Sequence, residues 1–321
     1  MKSTCKKRIL LILLATLALV PSAALAAYPE KPVEIVVTFQ PGGGTDIMGR
    51  TIGRYAEKYF GQSFAVVNKP GASGVIGWTT VAQTAKPDGY TLTVISPPSF
   101  LMHPIQRPNT KYRLEDFDLV ANIVMDPGVI GVRPDSGFKT LGDLLAALKD
   151  KPKAVSIGYS GPGTAEALLI SQFEEQDGVE FNKIPFDGSA PSMVALMGKH
   201  VDAVMMNVSE AHTYVTDGNL LIVGVGSPER DPSMSDIPTF KEQGYDYLQV
   251  TVRGLAAPKG LPKDVLEKLE SAIKQAYDDP EFRQKAADLQ MPLHYMGHEE
   301  FTKFLQGMNE NLKEEWAEKP W

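Results

Sequence analysis

Cysteine is almost missing from this chain. Its 321 residues include one, Cys5, which precedes the first apolar run instead of closing it. That position does not suit lipoprotein acylation, and a lone thiol forms no internal disulfide. Positive charge is also short, with 32 Lys and Arg against 39 Asp and Glu. A chain of that balance, with no basic stripe, is a poor nucleic-acid binder. Long apolar runs are scarce too. The run at residues 9–20 falls short of the ~20 residues a spanning helix needs, and no second long run follows.

The positive charge that exists is concentrated at the start. Lys2, Lys6, Lys7 and Arg8 precede that run, and Pro21 and Ala23-Ala24-Leu25-Ala26 follow it. This is the layout of a secretory signal peptide over residues 1–26, cleaved between Ala26 and Ala27. Cleavage removes Cys5 and leaves 28 basic residues against 39 acidic ones, a net charge of −11. The mature protein then has no thiol nucleophile and no thiolate metal site. Any anion it binds must be held by local dipoles, because net charge repels it.

Hydrophobic content of 43% and charged content of 22% are those of a globular protein, and the length suits two domains. Short β-branched runs at 33–39, 64–68, 91–96, 155–160, 201–207 and 221–226 alternate with helical patterns at 45–60, 141–148 and 192–198. The alternation predicts an α/β fold with largely parallel sheets. Val265, Leu266, Leu269, Ile273 and Tyr277 form one C-terminal amphipathic stripe. Phe301, Phe304, Leu305, Met308, Leu312 and Trp316 form another. Both read as helices packing on a domain already built. With no linker in view, the domains should be joined by more than one strand, crossing near Pro127-Gly128 and near Thr251-Val252-Arg253-Gly254.

Three glycine-rich junctions follow strands. Pro41-Gly42-Gly43-Gly44-Thr45-Asp46 opens the 45–60 helix and leaves amides uncovered at a helix N-terminus, a site suited to a carboxylate or phosphate. It is not a dinucleotide fingerprint, because Ile47 holds the sixth position. It departs from a phosphate loop because Arg50 replaces the lysine. Asp46 is expected to cap the helix by accepting from amides two or three residues on. The second junction is Gly71-Ala72-Ser73-Gly74, and the third Ser160-Gly161-Pro162-Gly163-Thr164. Gly158-x-Ser160 suggests a hydrolase elbow, but Pro162 stands where that motif needs glycine. His294, His298, Glu299 and Glu300 lack paired metal-ligand spacing. No catalytic residue, metal or cofactor is assigned.

Taken in order, these segments closely resemble the periplasmic solute receptors of the tripartite tricarboxylate transporters, the Bug family. The matching motifs include Tyr28-Pro29-x-Lys31-Pro32, the loop at 41–46, Asn68-Lys69-Pro70-Gly71-Ala72-Ser73-Gly74 and Lys86-Pro87-Asp88-Gly89-Tyr90. They continue through Ser160-Gly161-Pro162-Gly163-Thr164, Ile184-Pro185-Phe186-Asp187-Gly188, Ser227-Pro228-Glu229-Arg230, Ile237-Pro238-Thr239-Phe240 and Gly254-Leu255-Ala256-Ala257-Pro258.

The resemblance implies a type II periplasmic-binding-protein fold with two α/β lobes. Residues 27–127 and 252–321 would form the first lobe, and 128–251 the second. A small mono-, di- or tricarboxylate, aromatic acids included, would be held by Gly43, Gly44, Thr45 and Asp46, with Ala72, Ser73 and Gly74 nearby. Ser160, Gly163, Thr164 and Gly188 would face them. Amides and hydroxyls would neutralise the ligand without a buried arginine. The lobes would close on it and present it to integral-membrane permease subunits, the receptor acting as a monomer. The same fold serves ligand sensors of signalling partners, and an exported serine hydrolase using Ser160 is the rival from another class. Ala167, Phe186 and Ser96-Pro97-Pro98-Ser99 depart from the family pattern close to the expected cleft.

Overall fold

Val33–Val37 forms strand β1 because its β-branched side chains are buried on both faces, as a central strand requires. In the computed structural model the described residues are 28–230 and 235–320. The leader expected at 1–26 lies outside them. After β1 come helix α1 (Gly44–Phe60), β2 (Phe64–Asn68), α2 (Val75–Thr84), β3 (Thr91–Ile95) and α3 (Ser99–Gln106). The chain continues through β4 (Phe117–Val132), α4 (Leu141–Asp150), β5 (Ser156–Tyr159), α5 (Ala165–Asp177), β6 (Asn182–Pro185), α6 (Ser189–Met197), β7 (Ala203–Asn207) and α7 (Val208–Thr216). It ends with β8 (Leu221–Val225), β9 (Val250–Pro258), α8 (Lys263–Asp278), α9 (Pro280–Asp288), β10 (Leu293–Met296) and α10 (His298–Glu318). Among the described residues no helix is long and apolar enough to cross a membrane.

The strands run in the order β2-β1-β3-β9-β4-β7-β5-β6, with β8 and β10 also on β4. Parallel pairs link β1 to β2 and β3, and β5 to β6 and β7. The expectation of largely parallel sheets is corrected at the centre. There β4 pairs antiparallel with β7, β8, β9 and β10, and β9 runs antiparallel to β3. The reason is topological: β4 and β9 carry the chain between the two parallel sets in opposite directions, so they lie side by side head to tail.

β4 belongs to both sets. Phe117 to Pro127 pair with Pro258 to Val250 of β9, and Gly128 to Val132 pair with Asn207 to Ala203 of β7. Each side has its own core. Val36, Trp78, Ile95 and Phe100 meet Phe301 and Leu305 of α10 in one. Leu144, Ile157, Phe173, Met205 and Phe240 meet in the other. The C-terminal stripe thus packs as the periodicity predicts, Phe301, Leu305 and Leu312 being the buried positions of α10. Burying each such side chain contributes roughly 1.5–3 kcal/mol.

Candidate functional site

The β1–β3 set runs in the direction of β4 and the β5–β7 set runs against it, so the C-terminal ends of the two sets point towards each other and their loops meet in a cleft, the strand ends at which open α/β folds place ligands. The β1 side contributes Phe39, Gln40, Gly43 and Thr45, with Ser96 from the loop after β3 and Ser99 from the start of α3. The β5 side contributes Ser160, Thr164 and Glu166, then Gly188 and Ser189, then Asn207 and Glu210. Thr251 and Arg253 of β9 form the floor. The enclosed space is about 30 Å3, room for about two waters at ~10–15 Å3 each. The two sides are therefore nearly in contact.

Two helix ends face this space with glycine at the cap position. The residue before α1 is Gly43 and the residue before α6 is Gly188, and neither supplies a side-chain acceptor to the first turn. A Cβ on Gly43 would stand 3.3 Å from Ser189 Oγ, so the two ends approach closely. The aligned peptide dipoles make both ends positive, and at α1 the Gly44 amide already meets a carboxylate, Glu210. By contrast α5 is capped, the Thr164 hydroxyl accepting from the Ala167 amide at 3.3 Å.

Asp46 behaves differently from the expectation. Its Oδ2 accepts from the Gly42 amide, four residues back, at 3.0 Å, instead of from amides further on. Arg50 Nε and Asn68 Nδ2 also donate to it, each at 2.9 Å to Oδ1. The physical reason is position: in the third residue of α1 a carboxylate points back over the loop. Burial works against its charge, but Arg50, the Gly42 amide and Asn68 outweigh that and hold the carboxyl below its ordinary range. Asp46 ties the first loop to the end of β2 and does not line the cleft.

The other expected residues divide. Gly43, Thr45, Ser160, Thr164 and Gly188 line the enclosed space together. Gly44 is at the edge with its amide already engaged, donating to Glu210 Oε1 at 2.9 Å. Ala72, Ser73 and Gly74 form a tight 3-10 turn, in which Gly74 takes φ +96° and has the Trp78 ring where a Cβ would go. Ser73 borders a neighbouring depression with Gly161. Gly163 lies against the His103 imidazole. The closest described partner of the Ser160 hydroxyl is a carboxylate, Glu166 Oε1 at 3.5 Å, instead of the imidazole a hydrolase triad would need.

The charged residues were missed. Arg253 is 2% exposed and lines the cleft, which corrects the expectation of a site without a buried arginine. Its Nη1 donates to Asp126, and its Nη2 to Asn207 Oδ1 and Glu210 Oε1, each at 3.0 Å. Burial works against the guanidinium charge, but Asp126 and Glu210 overcome it and raise its pKa. Burial alone would likewise push the Asp126 carboxyl up. Donors from Arg253 and from the Ser209 hydroxyl oppose that rise, and the carboxyl stays above its ordinary range.

Glu210 has three partners. Oε2 accepts from the Asn207 amide at 2.9 Å, closing a capping box at the start of α7. Oε1 reaches across the cleft to Gly44 and Arg253. Asn207-x-x-Glu210 is the local signal that could have marked this residue as a helix start. Nothing local marks its second role.

This geometry can be set beside known proteins. The family model described as "Tripartite tricarboxylate transporter family receptor" matches residues 48–315. The Cupriavidus necator "UPF0065 protein in gbd 5'region" is 33% identical over 302 residues, covering 94% of this chain and 90% of that one. The structure of periplasmic binding protein BugD superposes with a TM-score of 0.85 at 30% identity, covering 91% of this chain and 98% of BugD. MatC from Rhodopseudomonas palustris, solved with bound malate, gives 0.82 at 26% identity, covering 91% of this chain and 99% of MatC. The mixed α/β architecture is that of these periplasmic binding proteins. The chain belongs to the tripartite tricarboxylate transporter family of receptors, solute-binding proteins and not enzymes.

Proposed function

We propose that this receptor is exported to the periplasm, its leader cleaved after Ala26, and that it captures a small carboxylate by closing two lobes. The lobes are residues 27–127 with 252–321, and residues 128–251. The observation that carries the reading is the pair of glycine-started helix ends, α1 at Gly43 and α6 at Gly188, meeting in one cleft from opposite sides. Two positive helix ends fit one anion, and each half alone supplies only part of the grip. Bound malate in MatC supports the ligand class.

The same geometry supports closure. Ligand contacts from both sides coexist only when the sides are together, so the ligand favours that state by its differential affinity. A monomeric receptor in that shape is what the integral-membrane permease subunits would recognise. Charge-assisted hydrogen bonds contribute roughly 1.5–3 kcal/mol each, so a few suffice for useful affinity while leaving the ligand releasable.

The test is calorimetry and thermal shift against mono-, di- and tricarboxylates, aromatic acids included, since a bound ligand raises the melting temperature by mass action. Binding should weaken in Ser160→Ala and be lost in Gly43→Val, with no turnover in either. If both variants bind as well as the parent, the ligand lies elsewhere.

A further inference from the structure

Matching donors to acceptors in the cleft leaves a remainder of both kinds. On the donor side, the Arg253 Nε–H and the Ser96 hydroxyl have no hydrogen-bond partner, although Arg253 is 2% and Ser96 3% exposed. Both line the enclosed space. A buried unpaired donor is costly, so a group that supplies an oxygen there is favoured. On the acceptor side, Glu166 is 6% exposed and also lines the space. Its partners are the distant Ser160 hydroxyl, its own amide and Thr164, whose hydroxyl already donates to the Gly161 carbonyl at 2.7 Å.

Among the described residues Glu166 makes no ion pair, and the charge that partly offsets its own is that of Arg253, with no hydrogen bond between them. The guanidinium in the cleft, Arg253, spends Nη1 on Asp126 and Nη2 on Asn207 and Glu210. Three carboxylates, Asp126, Glu166 and Glu210, thus share one guanidinium. Glu166 stands in the first turn of α5, where the helix dipole favours an ionised carboxylate. Burial and the Glu210 charge push its carboxyl up, and a cation beside it would relieve both.

We propose that Glu166 forms a second subsite for a protonated amine or other N–H donor, so that the preferred solute is an amino-substituted carboxylate and not a plain dicarboxylate. This rests on the receptor reading above. The solute carboxylate would meet the helix ends and Arg253 Nε, and its ammonium would meet Glu166. A plain dicarboxylate would instead bring a further negative charge against Glu166 and Glu210. The assignment makes Glu166 a specificity residue, with no bond made or broken.

The experiment compares amino acids with their des-amino partners on the full mature chain by calorimetry at pH 8, using L-aspartate against succinate and L-glutamate against glutarate. The amino member of at least one pair should bind roughly tenfold tighter or more. Glu166→Gln should erase most of that ratio by weakening the amino member and strengthening the plain one. Thermal unfolding of the variant alone checks that it is folded, and Glu166→Asp should keep the sign of the preference. If both members of each pair bind equally, the receptor reading stands and the subsite falls. The subsite falls equally if Glu166→Gln leaves the ratio unchanged, since a protonated Glu166 donating to a solute oxygen predicts that result. If Gly43→Val and the parent both fail to bind any acid, the receptor reading falls and the subsite with it.

Discussion

Removing the Glu210 carboxylate should open this protein without unfolding it. In Glu210→Ala the Gly44 amide loses its acceptor, Arg253 Nη2 loses one of two, and the Asn207 amide loses its cap. The first two bonds join the β1 side to the β5 side, while the third is internal to α7. Each cross-cleft bond to the carboxylate contributes roughly 1.5–3 kcal/mol. Breaking one partner of a buried ion pair costs about 3–5 kcal/mol, and Arg253 and Glu210 are both buried, their side chains 3% and 9% exposed. Under the proposed two-lobe closure, the lower figure, about 3 kcal/mol, lowers the closed population about two orders of magnitude relative to the open one. Amide exchange at Gly44, followed on the ligand-free protein, should therefore accelerate about 100-fold (about 3 kcal/mol). Small-angle scattering should report a larger radius of gyration, while the two cores keep a single cooperative unfolding transition. Exchange within threefold of the parent, with unchanged scattering, would show that Glu210 does not hold the two sides together.

Two further outcomes follow from buried residues away from the cleft mouth. His103 is fully buried beside Ser73, and burial lowers its pKa to about 4. The unfolded chain binds that proton near ~6.5, so it carries more protons than the folded one between about 6.5 and 4. Stability should fall as pH drops through this window, by about 3 kcal/mol in all. Denaturation from pH 6.5 to 5 should show that slope, and a His103→Gln variant with the same slope would refute it. At Gly254 of β9, a Cβ would lie 2.7 Å from the Ala121 carbonyl oxygen and 2.5 Å from the Phe301 ring. Gly254→Ala should cost about 1–3 kcal/mol in urea unfolding by overpacking the seat of α10. A change under about 0.5 kcal/mol would mean that helix shifts freely.

What sequence reading reached, and what it did not, divides by the range of the forces involved. The α1 start at three glycines, the α10 stripe of Phe301, Leu305 and Leu312, and the β-branched strands are local patterns, and each lies where its period put it. Two β-rich segments, through Pro127-Gly128 and through Thr251 to Gly254, were visible as candidate crossings. Their antiparallel pairing was hidden, because strand direction depends on partners more than a hundred residues away. The same limit hid Glu210 and Arg253. As an isolated tetrapeptide, Asn207-x-x-Glu210 is a helix start, and only the approach of Gly44, 166 positions earlier, turns its second oxygen towards the cleft. Asp46 failed for a smaller reason: placing it one turn too early in α1 reverses the direction in which its carboxylate reaches.

The placement of β9 between β3 and β4 has a consequence for synthesis. Until residues 250–258 have emerged, β3 has no neighbour on that edge and the first eleven residues of β4 have none from β9. A chain still being made therefore cannot complete the sheet begun by its own first 130 residues, however long it waits. Roughly the last quarter of the sequence acts as a keystone, and a nascent chain stays unclosed until it arrives. An arrest series should then acquire protease resistance in its N-terminal part abruptly, once β9 and α10 are both released.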